Sequence, residues 1–217
     1  MFLLFDIGGT TTRIAISQTG ESLDGVKLFP TNHDFGQAME EMKKISVEFS
    51  KGEKYHAVVG GVRAYNSKKG ELLNQPNFPM WVGKPLLSTM KQMWGDSVYL
   101  NNDAALVGLG EAVYGAGRGK EIVAYVTLST GIGGARIINS KVDSAFYGFE
   151  PGNMLLPSHG GGVEYFEKLI SGKSLQEKYG KAPQDIEDVE IWNGVIETLA
   201  IGLNNVTVLW SPEIIVL

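Results

Sequence analysis

Residues 2–17 read "FLLFDIGGTTTRIAIS". An apolar, β-rich run ends at Asp6. A bend of Gly8, Gly9, Thr10, Thr11 and Thr12 follows, and a second β-rich run leaves from Arg13. This pattern predicts two strands folded back on each other around a glycine-rich turn. The same device returns at residues 122–139, "IVAYVTLSTGIGGARIIN", with its bend at Thr130, Gly131, Gly133 and Gly134. Two hairpins of one design, far apart in the chain, point to two related halves that each open in the same way.

Between and after the hairpins, helix and strand signals alternate. Residues 34–52, "DFGQAMEEMKKISVEFSKG", carry an Asp34 start signal, helix formers and a Gly52 stop. "YHAVVGGV" reads as a buried strand, "KPLLSTMKQMWGD" as a helix, and "SVYL" as a strand running into a helix from Ala104. "GVEYFEKLISG" and the long, largely apolar "DVEIWNGVIETLAIGLNNVTVLW" read as helices, the latter mostly buried, and "SPEIIVL" as a final strand. Such alternation predicts an α/β fold. The glycine-rich link "GAGRG" at 115–119 is the expected boundary, giving domains 1–117 and 118–217.

Composition removes several function classes. Hydrophobic residues make up 43% of the 217, enough for a packed core, which excludes a disordered chain. The net charge is -5 and no Lys/Arg cluster stands out, so nucleic acid is not the expected partner. With no cysteine there is neither a disulfide framework nor a thiolate metal site, and a cytoplasmic location is the default expectation. The apolar start "MFLLF" is too short for a signal peptide or a membrane span.

The hairpin bends carry the first chemistry. Asp6 ends a strand where a carboxylate can hold Mg²⁺ through water, and the turn behind it exposes N–H groups to a phosphate. An ordinary hairpin turn needs the glycines but not the aspartate. The bend at Thr130 repeats the offer, and two such turns can grip one phosphate chain. "NNDAA" at 101–105 is the third element. Asn102 and Asp103 sit at a strand-to-helix junction, where a side chain either points into a cleft or simply caps the helix. Other nucleotide motifs fail. "SGKS" at 171–174 would need a glycine at 167, which is Glu167, and no G-x-G-x-x-G follows the first strand. His33, His56 and His159 are scattered, so no zinc site is expected.

Taken together these motifs resemble the ROK family, the bacterial sugar kinases and sugar-responsive repressors of the actin-like ATPase superfamily. "DIGGTTTRIAI" is similar to the family's first phosphate motif, "PNFPMW" to its "pNlpgW" segment, and "NNDAALVGLGE" to its catalytic "NDanaaalgE". "LSTGIGGARIIN" is similar to the second phosphate motif "lGTGiGggii", and "SPEIIVL" to "dPexIvlGGg" cut short. The matches run in family order along the whole chain.

The resemblance implies a two-lobed actin-like ATPase (ribonuclease H-like) fold with a sugar/ATP cleft between the lobes. It makes Asp103 the general base that takes a proton from a sugar hydroxyl, which attacks the γ-phosphate of ATP. Asp6 would help hold Mg²⁺ through water. Gly8, Gly9, Thr10, Thr11, Thr130, Gly131 and Gly133 would bind phosphates. Asn77, Asn102, Asp103, Glu150, Asn153 and Glu167 would bind the sugar. With only five residues ahead of Asp6, a DNA-binding repressor is not expected.

Several positions depart from the family's pattern. "GEiGHm" appears as "FEPGNM", so Asn153 replaces a histidine that is both sugar contact and zinc ligand. The "CxCGxxGCxE" zinc module becomes "LPSHGGGVEYFE", which implies a zinc-less variant. The glutamate ending that module is Glu164 or Glu167, and Glu167 fits the "E-x-x-x-S-G" spacing better. "GGVRAYN" at 60–66 is bulkier at Arg63-Ala64-Tyr65 than the usual "GvPGpvd", which leaves the sugar unnamed. The expected activity is ATP-dependent phosphorylation of a hexose or hexose derivative, in a soluble homodimer. The alternative is a non-catalytic sugar-binding relative or an incomplete fragment, with the second lobe stopping before the adenosine motif.

Overall fold

The computed structural model describes residues 1–63, 65–66, 70–72, 79–143, 148–158 and 160–217. The chain divides into two compact units, Met1–Leu106 and Val107–Leu217.

The first unit is built on a five-stranded sheet. β1 (Phe2–Ile7), β2 (Thr11–Ser17) and β3 (Gly25–Pro30) form an antiparallel meander. Leu3, Phe5 and Ile7 of β1 are buried while the residues between them are half-buried, the period-2 pattern of a strand with one well-covered face. Helix α1 (Phe35–Ser50) follows. Its cap is Asp34, whose Oδ1 accepts the Gln37 N–H at 2.8 Å. It ends on Lys51 in the left-handed conformation, one residue before the glycine expected to stop it. β4 (Ala57–Val62) returns parallel to β1. The short hairpin β5 (Tyr65–Asn66) and β6 (Glu71–Leu72) leads to helix α2 (Leu86–Trp94). β7 (Val98–Asn101) then adds parallel to β4, giving the order β3-β2-β1-β4-β7. Helix α3 (Asp103–Val113) leaves the end of β7, and the division between units falls within it, ahead of the glycine-rich link. Leu3, Ile7 and Ile14 of the sheet pack in one core with Met39 and Met42 of α1, Leu86 and Met90 of α2, and Trp81.

The second unit opens with the other hairpin. β8 (Ile122–Leu128) and β9 (Ile132–Ile138) pair antiparallel, β10 (Lys141–Val142) extends β9's side, and the sheet order is β10-β9-β8-β13. β11 (Leu155–Pro157) and β12 (Val163–Tyr165) form a separate ribbon. Helices α4 (Phe166–Ile170), α5 (Gly172–Tyr179) and α6 (Val189–Trp210) follow, and β13 (Ile214–Val216) lies parallel to β8.

Two local expectations are corrected. "GVEYFEKLISG" is not one helix: Val163–Tyr165 is drawn into pairing with β11, and the helix lasts only from Phe166 to Ile170. It stops because Ser171 is extended and caps α5 instead, its hydroxyl accepting the Ser174 N–H at 3.2 Å. Helix α6 is long but is not mostly buried. Val195, Thr198, Gly202, Val206 and Trp210 are covered, at the spacing of a single helix face. Val189, Ile196, Val208 and Leu209 on its other positions are exposed. Apolar content had suggested burial on every side, but only one face of α6 has a partner in its unit.

Candidate active site

In the first unit the parallel strands β1, β4 and β7 bring Asp6, Gly61 and Asn101 into adjacent register at their carboxyl ends. Ligands of α/β sheets bind outside those ends. Gly61 matters here through close approach: a Cβ on it would lie 3.0 Å from the Cα of Asp103. The glycine lets the start of α3 settle against β4, which holds Asp103 beside the strand ends.

The junction separates two roles that the sequence left open. Asn102 is the cap of α3, with Oδ1 accepting the Ala105 N–H at 3.3 Å and its carbonyl accepting the Leu106 N–H at 3.1 Å. Asp103 is the first helical residue and its Oδ1 accepts the next N–H, from Ala104, at 2.9 Å. Burial pushes the Asp103 carboxyl above the usual aspartate range, and the nearby Asp6 charge adds to the rise. The Ala104 N–H and the Arg63 guanidinium pull against it without cancelling it. A carboxylate held less acidic than usual is a better proton acceptor near neutral pH. Asp6 itself pairs with Arg13, its cross-strand neighbour, at 2.5 Å.

The turn after Asp6 is pinned from behind. Thr31 donates its hydroxyl to the Gly8 carbonyl at 2.7 Å and its N–H to the Thr10 carbonyl at 3.0 Å. Its hydroxyl also meets that of Thr12 at 2.9 Å. Gly8 closes the turn by donating to the Thr11 carbonyl. The N–H groups of Gly9 and Thr10 have no partner among the described residues. Thr31 was missed by sequence reasoning, and a lone threonine in a loop carries no signal that could have found it.

The second unit gathers the other set. The turn Ser129–Gly131 is held by the amides of Gly172 and Lys173, which donate to the carbonyls of Ser129 and Thr130 at 2.8 and 3.2 Å. The "SGKS" stretch thus spends its helix-start amides on this turn. Among the described residues the Thr130 and Gly131 amides have no partner. Just after the turn, Glu167 Oε2 accepts the Ile132 N–H at 2.8 Å. Pro151–Asn153 forms a short 3-10 turn in which Asn153 donates to the Glu150 carbonyl at 3.1 Å. Gly152 is wedged there: a Cβ would fall 2.4 Å from the Ile132 carbonyl oxygen and 3.2 Å from the Cβ of Glu167. Glu150 and Asn153 are exposed, and Glu167 is half-buried. Glu164 lies on β12 and its carboxylate accepts the Tyr165 N–H.

The sequence-derived site residues thus fall into one group per unit. Asp6, Gly8, Gly9, Thr10, Thr11, Asn102 and Asp103 lie in the first; Thr130, Gly131, Gly133, Glu150, Asn153 and Glu167 lie in the second. Asn77 and His159 lie outside the described residues. A cavity of about 360 Å³ in the second unit, lined by Leu169, Leu175, Tyr179, Ile191 and Val195, includes none of them. Among the described residues no three His, Asp or Glu side chains cluster to hold a metal ion, and no helix is long and apolar enough to cross a membrane.

Two units that each open with a hairpin and a glycine turn, the first placing an aspartate at a strand end, make up the fold of actin-like ATPases. Within that class the chain belongs to the ROK family, whose model matches residues 3–217. It is 35% identical to a glucokinase from Thermotoga maritima over 133 residues, 59% of this chain and 42% of that protein. It is 27% identical to a fructokinase from Zymomonas mobilis over 203 residues, 84% of this chain and 66% of that one. The chain therefore spans less than two thirds of either relative's length. A solved ROK family glucokinase from Streptomyces griseus, in complex with glucose and AMPPNP, superposes with a TM-score of 0.77 at 22% identity, covering 98% of this chain and 81% of its own.

Proposed function

We propose that this chain is an ATP-dependent sugar kinase that phosphorylates a hexose or hexose derivative. The observation that carries the reading is Asp103: the capping of α3 belongs to Asn102, and burial holds the Asp103 carboxyl above the ordinary range. Its relatives' names, glucokinase and fructokinase, support a hexose as acceptor.

In this reading Asp103 accepts the proton of the acceptor hydroxyl as its oxygen bonds to the γ-phosphorus of ATP. The bond from that phosphorus to the bridging oxygen breaks, and ADP leaves. The transition state is loose, so positioning and charge neutralisation supply most of the acceleration. The amides of Gly9, Thr10, Thr130 and Gly131 bind phosphate oxygens, with Gly8, Thr11 and Gly133 shaping the turns. Glu150, Asn153, Asn102, Asn77 and Glu167 bind the sugar. Mg²⁺ suits Asp6, whose carboxyl group lies half-exposed beside Arg13 at the strand end, where oxygen ligands could hold a hydrated cation. When bound, Mg²⁺ neutralises phosphate charge. Zinc has no part in this reading, since cysteine is absent and Asn153 stands where the family's histidine ligand would be. The lobe assignment 1–117 and 118–217, a cytoplasmic location and a homodimer belong to the same proposal, the last supported by the exposed apolar residues of α6.

The test is ADP release with ATP, Mg²⁺ and a panel of glucose, fructose, mannose and N-acetylglucosamine. Release that depends on one of these sugars is the expected result. Sugar binding by calorimetry without any ADP release would replace the kinase with a non-catalytic sugar-binding relative.

A further inference from the structure

The elbow between α4 and α5 touches the Ser129–Gly131 turn and its exit at three points. Gly172 and Lys173 bind the carbonyls of Ser129 and Thr130, and Glu167 binds the amide of Ile132, the residue directly after Gly131. Glu167 is held at both ends. Its root lies against Gly152, where there is no room for a side chain, and its carboxylate oxygen is on Ile132. An ionised acceptor on a backbone N–H makes one of the stronger hydrogen bonds in proteins. Without it, the start of β9 has a buried residue whose N–H loses its acceptor, and the exit of the turn is free to shift.

We infer that Glu167 is a positioning residue for the second unit's phosphate turn, in addition to any contact it makes with the sugar. It fixes the direction in which the Thr130 and Gly131 amides point by anchoring the backbone immediately beyond them. The inference rests on reading that turn as a phosphate site.

The experiment is calorimetric binding of AMPPNP with Mg²⁺ in the absence of any sugar, on wild type, E167Q, E167D and E167A. Gln keeps an oxygen at the reach of the Ile132 amide, so E167Q should bind within about threefold of wild type, whereas E167D, one methylene short, and E167A should bind about tenfold more weakly or worse. A residue that serves only the sugar would leave all four affinities alike, and that result overturns the inference. If E167A does not fold, the contrast between E167D and E167Q decides the matter. A wild type that binds no AMPPNP sinks the phosphate reading of the turn itself, a failure separate from equal affinities across the variants.

Discussion

The two glycine turns look alike in sequence and are built differently. The Gly8–Thr10 turn is pinned by one residue, Thr31, whose hydroxyl reaches the Gly8 carbonyl and the Thr12 hydroxyl and whose backbone N–H reaches the Thr10 carbonyl. The Ser129–Gly131 turn is pinned mostly by backbone, the amides at the start of α5, with Glu167 guarding its exit. In both, carbonyls are taken up from behind and two consecutive amides are left over. The difference teaches that turns of one sequence pattern can be fixed by unrelated supports. Each turn is open to single substitution at its own side-chain anchor, Thr31 in the first and Glu167 in the second. The first unit also carries Asp103, the proposed proton acceptor, so it should hold both the largest catalytic and the largest anchoring effects.

The asymmetry is sharpest at Asp103. Asp103→Asn should lower the turnover number by about 10²–10⁴-fold, the usual contribution of a general base. The same change should raise thermal stability at neutral pH. The sign follows from burial: a carboxyl whose folded pKa is raised makes the folded state pay for ionisation above that value. That cost is absent below the unfolded pKa, so the gain from Asn should fade as pH drops into the carboxylate range. Melting curves of both proteins from pH 4 to pH 8 measure this, and a gain that grows towards acid contradicts it.

The next effect is at Thr31. Thr31→Val leaves the Gly8 carbonyl and the Thr12 hydroxyl short of a buried partner and should cost about 1–3 kcal/mol in denaturant unfolding. Ser171→Ala is the matched change in the second unit. It removes the cap of α5 but leaves the Gly172 and Lys173 amides in place, and should cost about 1 kcal/mol. A loss at Ser171 that equals or exceeds the one at Thr31 would erase the distinction between the two turns.

Asn102→Ala removes the cap of α3 and should cost about 1 kcal/mol at every pH, unlike Asp103→Asn, whose effect is pH-dependent. Identical pH profiles for the two would mean that capping and proton acceptance are not divided between the neighbours. The smallest effect expected is none: a strong zinc chelator in Mg²⁺-free buffer should not move the melting temperature. A fall restored by added zinc would show a site built from histidine and carboxylates.

Much of this was legible in the chain. The hairpins are local, so their alternation and glycine bends placed both turns, and the junction "NNDAA" placed Asp103 at a helix start. The anchors were not legible, because each joins residues distant in sequence: Thr31 to Gly8, Gly172 to Ser129, Glu167 to Ile132. The pairing of Asp6 with Arg13 was within reach, since the turn fixes the β1–β2 register that sets them opposite. Helix propensity through "GVEYFEK" hid the short strand Val163–Tyr165, where pairing with Leu155–Pro157 outweighed it. Apolar content along α6 gave its length correctly but not its exposure, which depends on what other elements cover.

The carbonyls held from behind have an electronic consequence. A peptide unit is one resonance system, so a hydrogen bond to its oxygen draws charge from its nitrogen and makes the attached hydrogen more positive. The Gly8 oxygen belongs to the same peptide as the Gly9 amide, Ser129's to the Thr130 amide, and Thr130's to the Gly131 amide. Three of the four left-over amides are therefore polarised by a bond on their far side, with a strengthening of about 10–30% for each such link. Thr31 and the first amides of α5 do more than hold shape: they make neutral backbone into better donors for an anion.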